Sequence, residues 1–274
     1  MDKMSKFLKH INVGYPPGNS PIFEEWLYDN FSRIQTDRKL IPVHFTSYFV
    51  NNGYGHNKQA LQDLQLFVDS LDRSQKWVTV VQYDDGVLVD FKDLDVLQFN
   101  MSQNVGIEMP LLCQPQPYKF HSQKKWLANF VGSKTHPIRE SANSLLYHPD
   151  YYVSFQHHDI ETYCRIIHES VFTLCYRGYG RNSFRIAEAL QYGSVPVYIS
   201  DEFINCFDAN FEDYGIIITH EDQHRISEIL ESVPIEDVIK KQSKLKEVYQ
   251  TYYTFEGVFN QIKKILEKEN APKG

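Results

Sequence analysis

Short continuous apolar runs alternate along this chain with longer segments in which apolar residues recur every three or four positions. The runs at 77–81, 126–131, 151–155, 172–176, 195–199 and 216–219 are the kind shown by strands buried on both faces of a parallel sheet. Between them lie amphipathic patterns. Leu61, Leu64, Phe67, Val68 and Leu71 mark a helix over 59–71, and Val258, Ile262, Ile265 and Leu266 mark another over 255–268. Further helices are predicted at 160–170, 222–230 and 235–249, with one starting at Ile138. Near the N-terminus, Ile11 and Val13 suggest a first strand. The loop 14–20, rich in Pro and Gly, then leads to a helix that places Phe23, Trp26, Leu27 and Phe31 on one face, and 40–49 is a strand candidate. Strands alternating with helices imply an α/β chain with parallel sheets covered by helices. The proline-bearing CQPQPY is the natural break: 114–118 serves as linker between a domain at 1–117 and a second at 118–254, with 255–274 as a closing helix.

The most informative pattern is SVFTLCYRGYGRNSFRIAEALQYGSVPVYIS at 170–200. The strand 172–176 stops at Arg177-Gly178-Tyr179-Gly180-Arg181-Asn182-Ser183, a glycine turn that opens a helix. Asn182 or Ser183 can cap it, Phe184, Ala187 and Leu190 face a core, and Gly193 is placed to end it. Arg185 and Glu188 lie three apart and share a face, with Arg181 one turn earlier. A helix start with free N–H groups, a close-approach glycine turn and several guanidiniums suits a multiply charged anion, most simply a diphosphate. A carboxylate one turn further in suits the hydroxyls of a ribose. The alternative is that Arg185 and Glu188 form a surface ion pair.

These residues resemble the signature of the exostosin-type glycosyltransferases: Arg177, Gly178, Gly180, Ser183, Arg185, Glu188, Ala189, Gly193, Pro196 and Val197 all match. Phe130-Val131-Gly132 followed by Arg139 resembles a second, upstream piece, so the likeness runs from about 126 to 233. Thr173 and Tyr176 depart, standing where many members carry Cys and Pro. The resemblance implies a GT-B type fold: two Rossmann-like domains whose parallel sheets face a central cleft, with the last helix crossing back to the first domain. It implies inverting transfer of a sugar from a UDP-sugar donor (UDP-xylose, UDP-glucuronate, UDP-galactose or UDP-N-acetylglucosamine) to a glycan or glycoprotein hydroxyl. The donor site then comprises Arg139, Tyr176, Arg177, Gly178, Gly180, Arg181, Asn182, Ser183, Arg185 and Glu188.

Inversion also needs a base for the acceptor hydroxyl. In the first domain the candidates are Asp84, Asp85, His44 and His56. The Asp84-Asp85 pair is favoured because adjacent carboxylates raise one another's pKa, although Asp85-Gly86 is also ordinary turn chemistry. Tyr15, Tyr48, Tyr54, Tyr83 and Tyr179 fall in loops where rings can stack on sugar faces.

Composition narrows the choice. The 274 residues are 42% hydrophobic with a formal net charge of −7, which argues against a nucleic-acid binder and requires a local basic cluster for an anionic donor. No apolar run is long enough to span a bilayer, and the N-terminus lacks a secretory core. The expectation is therefore a soluble cytoplasmic protein, of bacterial or viral type and unlike the membrane-anchored eukaryotic exostosins, or else a trimmed soluble portion of such a Golgi enzyme. Cys113, Cys164, Cys175 and Cys206 read as reduced core residues. The sequons at Asn30 and Asn100 carry no meaning in a cytosolic chain. His157-His158-Asp159 and the His220/His224 pair are metal candidates that lack a workable ligand set. Fixed arginines can neutralise a departing diphosphate, so no metal is expected. Two other classes stay open: a catalytically inactive carbohydrate-binding module on the same scaffold, and a sugar-phosphate epimerase, the latter opposed by the absence of Gly-x-Gly-x-x-Gly after the first strand.

Overall fold

The computed structural model describes residues 5–11, 21–101, 105–204 and 206–270. The chain forms two compact units, residues 1–114 with 255–274 and residues 115–254. Each is built on a parallel sheet, as the alternating pattern predicts. Among the described residues no helix is long and apolar enough to cross a membrane.

The first unit contains α1 (Phe23–Asn30), β1 (Lys39–Leu40), α2 (Phe45–Asn51), α3 (Lys58–Asp69), β2 (Trp77–Val81), β3 (Val96–Asn100) and β4 (Ile107–Glu108). Its strands pair in chain order, β1-β2-β3-β4. Every residue of β2 is buried, which is why WVTVV is a near-continuous, mostly β-branched run instead of an alternating one. Helix α3 buries Ala60, Leu64 and Val68 and is capped by the Asn57 side chain, which accepts from Ala60 N. The last helix, α8 (Phe255–Glu269), is part of this unit. Trp26 packs on Phe255 and Phe259 with ring centroids 5.7 and 5.8 Å apart, and Arg33 pairs with Glu256 at 2.9 Å.

The strand expected over 40–49 is not formed. Pro42 has no N–H to give a ladder, β1 ends at Leu40, and the apolar residues beyond it make α2, in which Phe45 to Val50 are all buried. A short run buried on every side looks the same in sequence whether strand or helix. Two carboxylates from α1 decide the matter by serving the first turn of α2. Glu24 accepts from Thr46 N at 2.9 Å and from Thr46 Oγ1, and Glu25 accepts from Ser47 Oγ at 2.7 Å. Ile11 lies in no strand. Val13, Tyr15, the rest of the 14–20 loop and Ser102 of the second sequon fall outside the described residues.

The second unit contains β5 (Trp126–Val131), β6 (Tyr151–Ser154), α4 (Ile160–His168), β7 (Ser170–Tyr176), α5 (Phe184–Gln191), β8 (Val195–Ser200), β9 (Ile216–Thr219), α6 (Ile226–Glu231) and α7 (Ile235–Tyr252). The sheet order is β6-β5-β7-β8-β9, all parallel. A buried polar chain ties β5 to β7: Asn129 Nδ2 donates to Thr173 Oγ1, which donates to Ser194 Oγ, both at 2.8 Å. Helix α5 buries Ile186, Ala187, Ala189 and Leu190, so the core face includes Ile186 in place of the expected Phe184. Gly193 ends it at φ +68°, a left-handed conformation that glycine adopts without penalty. The segment starting near Ile138 is a 3-10 helix, Pro137–Leu145, not an α-helix. Ser141 and Ser144 each donate to the carbonyl three residues back, at 2.9 and 2.7 Å, and this local bonding competes with the α pattern. None of the four cysteines forms a disulfide, and all four are buried.

Glu24 is almost fully buried and also accepts from Gln82 N at 2.6 Å. Burial pushes its pKa up to about 7 despite these three donors. The folded state therefore holds the proton more tightly than the unfolded chain. The stability linked to that proton is present below about 4.5 and is lost as pH rises through about 7. Thermal unfolding across this window should show the wild type weakening relative to Glu24→Gln by a few kcal/mol, since each tenfold change in proton affinity is worth about 1.4 kcal/mol. A difference that does not change with pH would contradict the assignment.

Candidate functional site

In the second sheet the chain leaves β5 for β6 on one side and then crosses to β7 on the other. Connections that diverge in this way leave a crevice outside the carboxyl ends of the two strands between which they part. Gly132 and Ser133 follow β5, and the 177–183 turn follows β7. A cavity of about 520 Å³ opens here, lined among others by Gly132, Ser133, Phe155, Tyr163 and Arg185.

Two guanidiniums stand at this crevice without a carboxylate partner among the described residues. Arg139, only 5% exposed, donates from Nε to the Arg177 carbonyl at 2.8 Å and from Nη1 to the Ser133 carbonyl at 2.9 Å. It thereby spans the loops after β7 and β5. Burial, with the nearby Arg185 charge, pulls it down to about 9, so it remains a cation at neutral pH. Arg185, half-buried in the first turn of α5, donates from Nε and Nη2 to the Val131 carbonyl at 3.1 and 2.7 Å and lies against the Phe130 ring. Gly132 has to be small for this: a Cβ there would come within 2.1 Å of Arg185 Nη2. Ser183 caps α5 by position only. Its Oγ is buried without a hydrogen-bond partner, and its N–H donates to Asn182 Oδ1 at 2.8 Å. Two positive charges partly withdrawn from water, an unused hydroxyl and a helix start together favour an anionic ligand.

Glu188 lies one turn along α5 from Arg185, yet no ion pair joins them among the described residues. Glu188 Oε2 instead accepts from Tyr163 of α4 at 2.5 Å. Burial raises the Glu188 pKa, while the Tyr163 hydrogen bond and the Arg185 charge oppose the rise. The surface ion-pair alternative is thus not what forms.

Other expected donor residues take different places. Arg177 pairs with Asp201, and Arg181 Nη1 lies 3.1 Å from Glu202, so their charges are largely spent within the turn. Gly178 sits against Arg139, with Nη2 3.4 Å from where a Cβ would be, and Gly180 is buried. Tyr176 is fully buried, its ring is edge-on to Phe130 at 4.9 Å, and its hydroxyl lies 2.9 Å from Ser141 Oγ. Asp159 caps α4 by accepting from Thr162 N, and His158 Nε2 lies 3.0 Å from Ser154 Oγ, which separates the members of the His157-His158-Asp159 run. His224 Nδ1 lies 2.9 Å from the Glu221 carbonyl.

In the first unit, Asp84 and Asp85 occupy a turn closed by Gly86 N donating to the Tyr83 carbonyl at 2.9 Å, with Gly86 at φ +71°. Asp85 is exposed and lines a cavity of about 360 Å³ with Gln98 and Asn100 at the ends of β2 and β3. His56 is exposed. His44, 3% exposed, is wedged between the Tyr28 and His10 rings at 5.4 and 5.6 Å, and burial lowers its pKa. That is the setting of a core histidine.

Sequence reasoning passes over Tyr163 and Phe155. Tyr163 falls on an ordinary helical repeat; its one signal is a hydroxyl on a helix face that otherwise buries Cys164, Ile166 and Ile167.

A parallel α/β unit with a crevice at its switch point is an architecture shared by phosphate- and nucleotide-binding proteins. The exostosin GT47 domain matches residues 70–233, which take in Arg139, the 177–183 turn and all of α5. The chain belongs to the exostosin GT47 family. A protein of Oryza sativa subsp. japonica named as a probable glucuronosyltransferase is 39% identical over 83 residues, 30% of this chain and 19% of that protein. One of Arabidopsis thaliana named as a probable beta-1,4-xylosyltransferase is 34% identical over 83 residues, 30% of this chain and 20% of that protein. The matched part is thus about a fifth of the length of these relatives. Among solved structures, the crystal structure of TarM has a TM-score of 0.43 at 7% identity over 76% of this chain and 58% of that one. That of the GtfA/B complex has 0.40 at 10% identity over 88% and 59%.

Since Gly132 leaves the space through which Arg185 passes, Gly132→Ala is expected to lower stability by about 1–3 kcal/mol through overpacking. Gly178→Ala, at ordinary contact distance, should cost less than about 1 kcal/mol. Urea unfolding of both variants measures this, and equal midpoints would contradict the close approach.

Proposed function

We propose that this chain is an inverting glycosyltransferase that binds a UDP-sugar in its second unit and transfers the sugar to a glycan hydroxyl. One observation carries the reading: Arg185 lines a cavity of about 520 Å³ at a sheet switch point and Arg139 bonds the carbonyl of Ser133 in its wall, neither with a carboxylate partner among the described residues, and Glu188 lies one turn further along α5. The guanidiniums and the free Ser183 hydroxyl receive the diphosphate, Glu188 takes a ribose hydroxyl, and the cavity has room for the nucleoside. As the bond from the anomeric carbon to the diphosphate oxygen breaks, negative charge grows on the leaving group, where two fixed cations lower the barrier. No metal is needed in this account.

The acceptor proton goes to a base, for which Asp85, exposed beside its own polar cavity, is the better-placed member of the Asp84-Asp85 pair. The names of the relatives favour UDP-glucuronate and UDP-xylose among the four donors.

Calorimetric titration with UDP tests the site. Arg185→Ala and Glu188→Ala should each weaken binding by about tenfold or more, the effect of one charge-assisted hydrogen bond, with circular dichroism unchanged. Unaltered affinity in both variants would overturn the reading. UDP release from the four donors is expected to continue in EDTA; complete loss that manganese restores would overturn the metal-free part.

A further inference from the structure

We propose that Tyr163 is a positioning residue: its hydroxyl fixes the Glu188 carboxylate so that Oε1 is presented to the ligand, and the site's preference for ribose over deoxyribose depends on it. The inference rests on the reading of this crevice as a UDP site.

The geometry divides the two carboxylate oxygens. Oε2 accepts from Tyr163. Oε1 accepts no hydrogen bond from the other described residues and is not among the buried polar atoms lacking a partner, so it is the oxygen left open to solvent. Arg185, which helical spacing would make the natural partner of Glu188, is drawn away to the Val131 carbonyl. The orientation of the carboxylate is therefore left to α4, through Tyr163.

A glutamate with three rotatable bonds loses that freedom when it binds a ligand, unless something has already taken it. Tyr163 does so, and its ring is also part of the cavity wall. The tyrosine is suited to the task because burial and the Glu188 charge push its own pKa well above the usual value, so it stays a donor. Its hydrogen bond also opposes the rise that burial imposes on Glu188. Ribose differs from deoxyribose by one hydroxyl donor, and a carboxylate oxygen held in place discriminates on that donor.

The test is titration of UDP, 2′-deoxy-UDP and 3′-deoxy-UDP into the wild type, Tyr163→Phe, Glu188→Gln and the double variant, with thermal unfolding to verify each fold. The wild type should bind UDP about tenfold or more tightly than one of the deoxy compounds, the value of a hydrogen bond to a charged group. In Tyr163→Phe that ratio should fall below about threefold, with affinity for the discriminated deoxy compound nearly unchanged. The double variant should lose no more selectivity than Glu188→Gln alone, since both changes act on one carboxylate. Equal weakening of UDP and the deoxy compounds in Tyr163→Phe, with the ratio kept, would mean a wall residue only and overturn the proposal, as would additive losses in the double variant. A wild type that binds UDP without preferring ribose overturns it too. A wild type that does not bind UDP defeats the donor reading itself, a result distinct from these.

Discussion

Two guanidiniums set into the crossing of a parallel sheet, with no described acid to neutralise them, are the constraint around which the second unit is arranged. Isolating a charge from water costs several kcal/mol even after local relaxation, and here carbonyl oxygens at the ends of β5 and β7 offset part of it. Those carbonyls are available because the two strands run side by side with their connections diverging. Gly132 then has no Cβ to obstruct Arg185, and the polar chain from Asn129 to Ser194 holds β5 against β7. A positive potential is left over at the crevice.

Neighbouring charges are treated differently, which separates shape from binding. Arg177 and Arg181 are matched by Asp201 and Glu202 beyond β8, and these pairs fix the glycine turn over the crevice. Glu188 is matched to a tyrosine instead of an arginine, through its Oε2. A net charge of −7 over the whole chain coexists with this local excess of positive charge. The family match over 70–233 encloses the constellation completely, whereas the N-terminal segment before α3, with its buried Glu24 and Glu25, lies outside it.

Much of this could be read from the residues alone. The strands at 77–81, 126–131 and 216–219 coincide with β2, β5 and β9: β2 is buried throughout and so leaves a continuous run, while the edge strand β9 buries Ile218 and keeps its run short. Gly193 announced the end of α5 because only a left-handed residue fits there. The roles within the RGYGRNSFRIAE segment were less legible. Spacing places Arg185 and Glu188 on one face but does not say that the Val131 carbonyl will take the first and Tyr163 the second. Nor does it say that Arg177 will find Asp201, twenty-four residues on. Helix α2 was hidden for a related reason: its apolar run has no polar face, and the acids that stabilise its start sit on α1, some twenty residues earlier. Local periodicity reports burial, and partners from distant segments decide what a buried residue does.

The most direct measurement is a crystal structure of the chain soaked with UDP. The account predicts diphosphate density in contact with Arg139 and Arg185, with the ribose within hydrogen-bond distance of Glu188 Oε1. Ordered nucleotide elsewhere, with both guanidiniums still bonded only to backbone carbonyls, would contradict it.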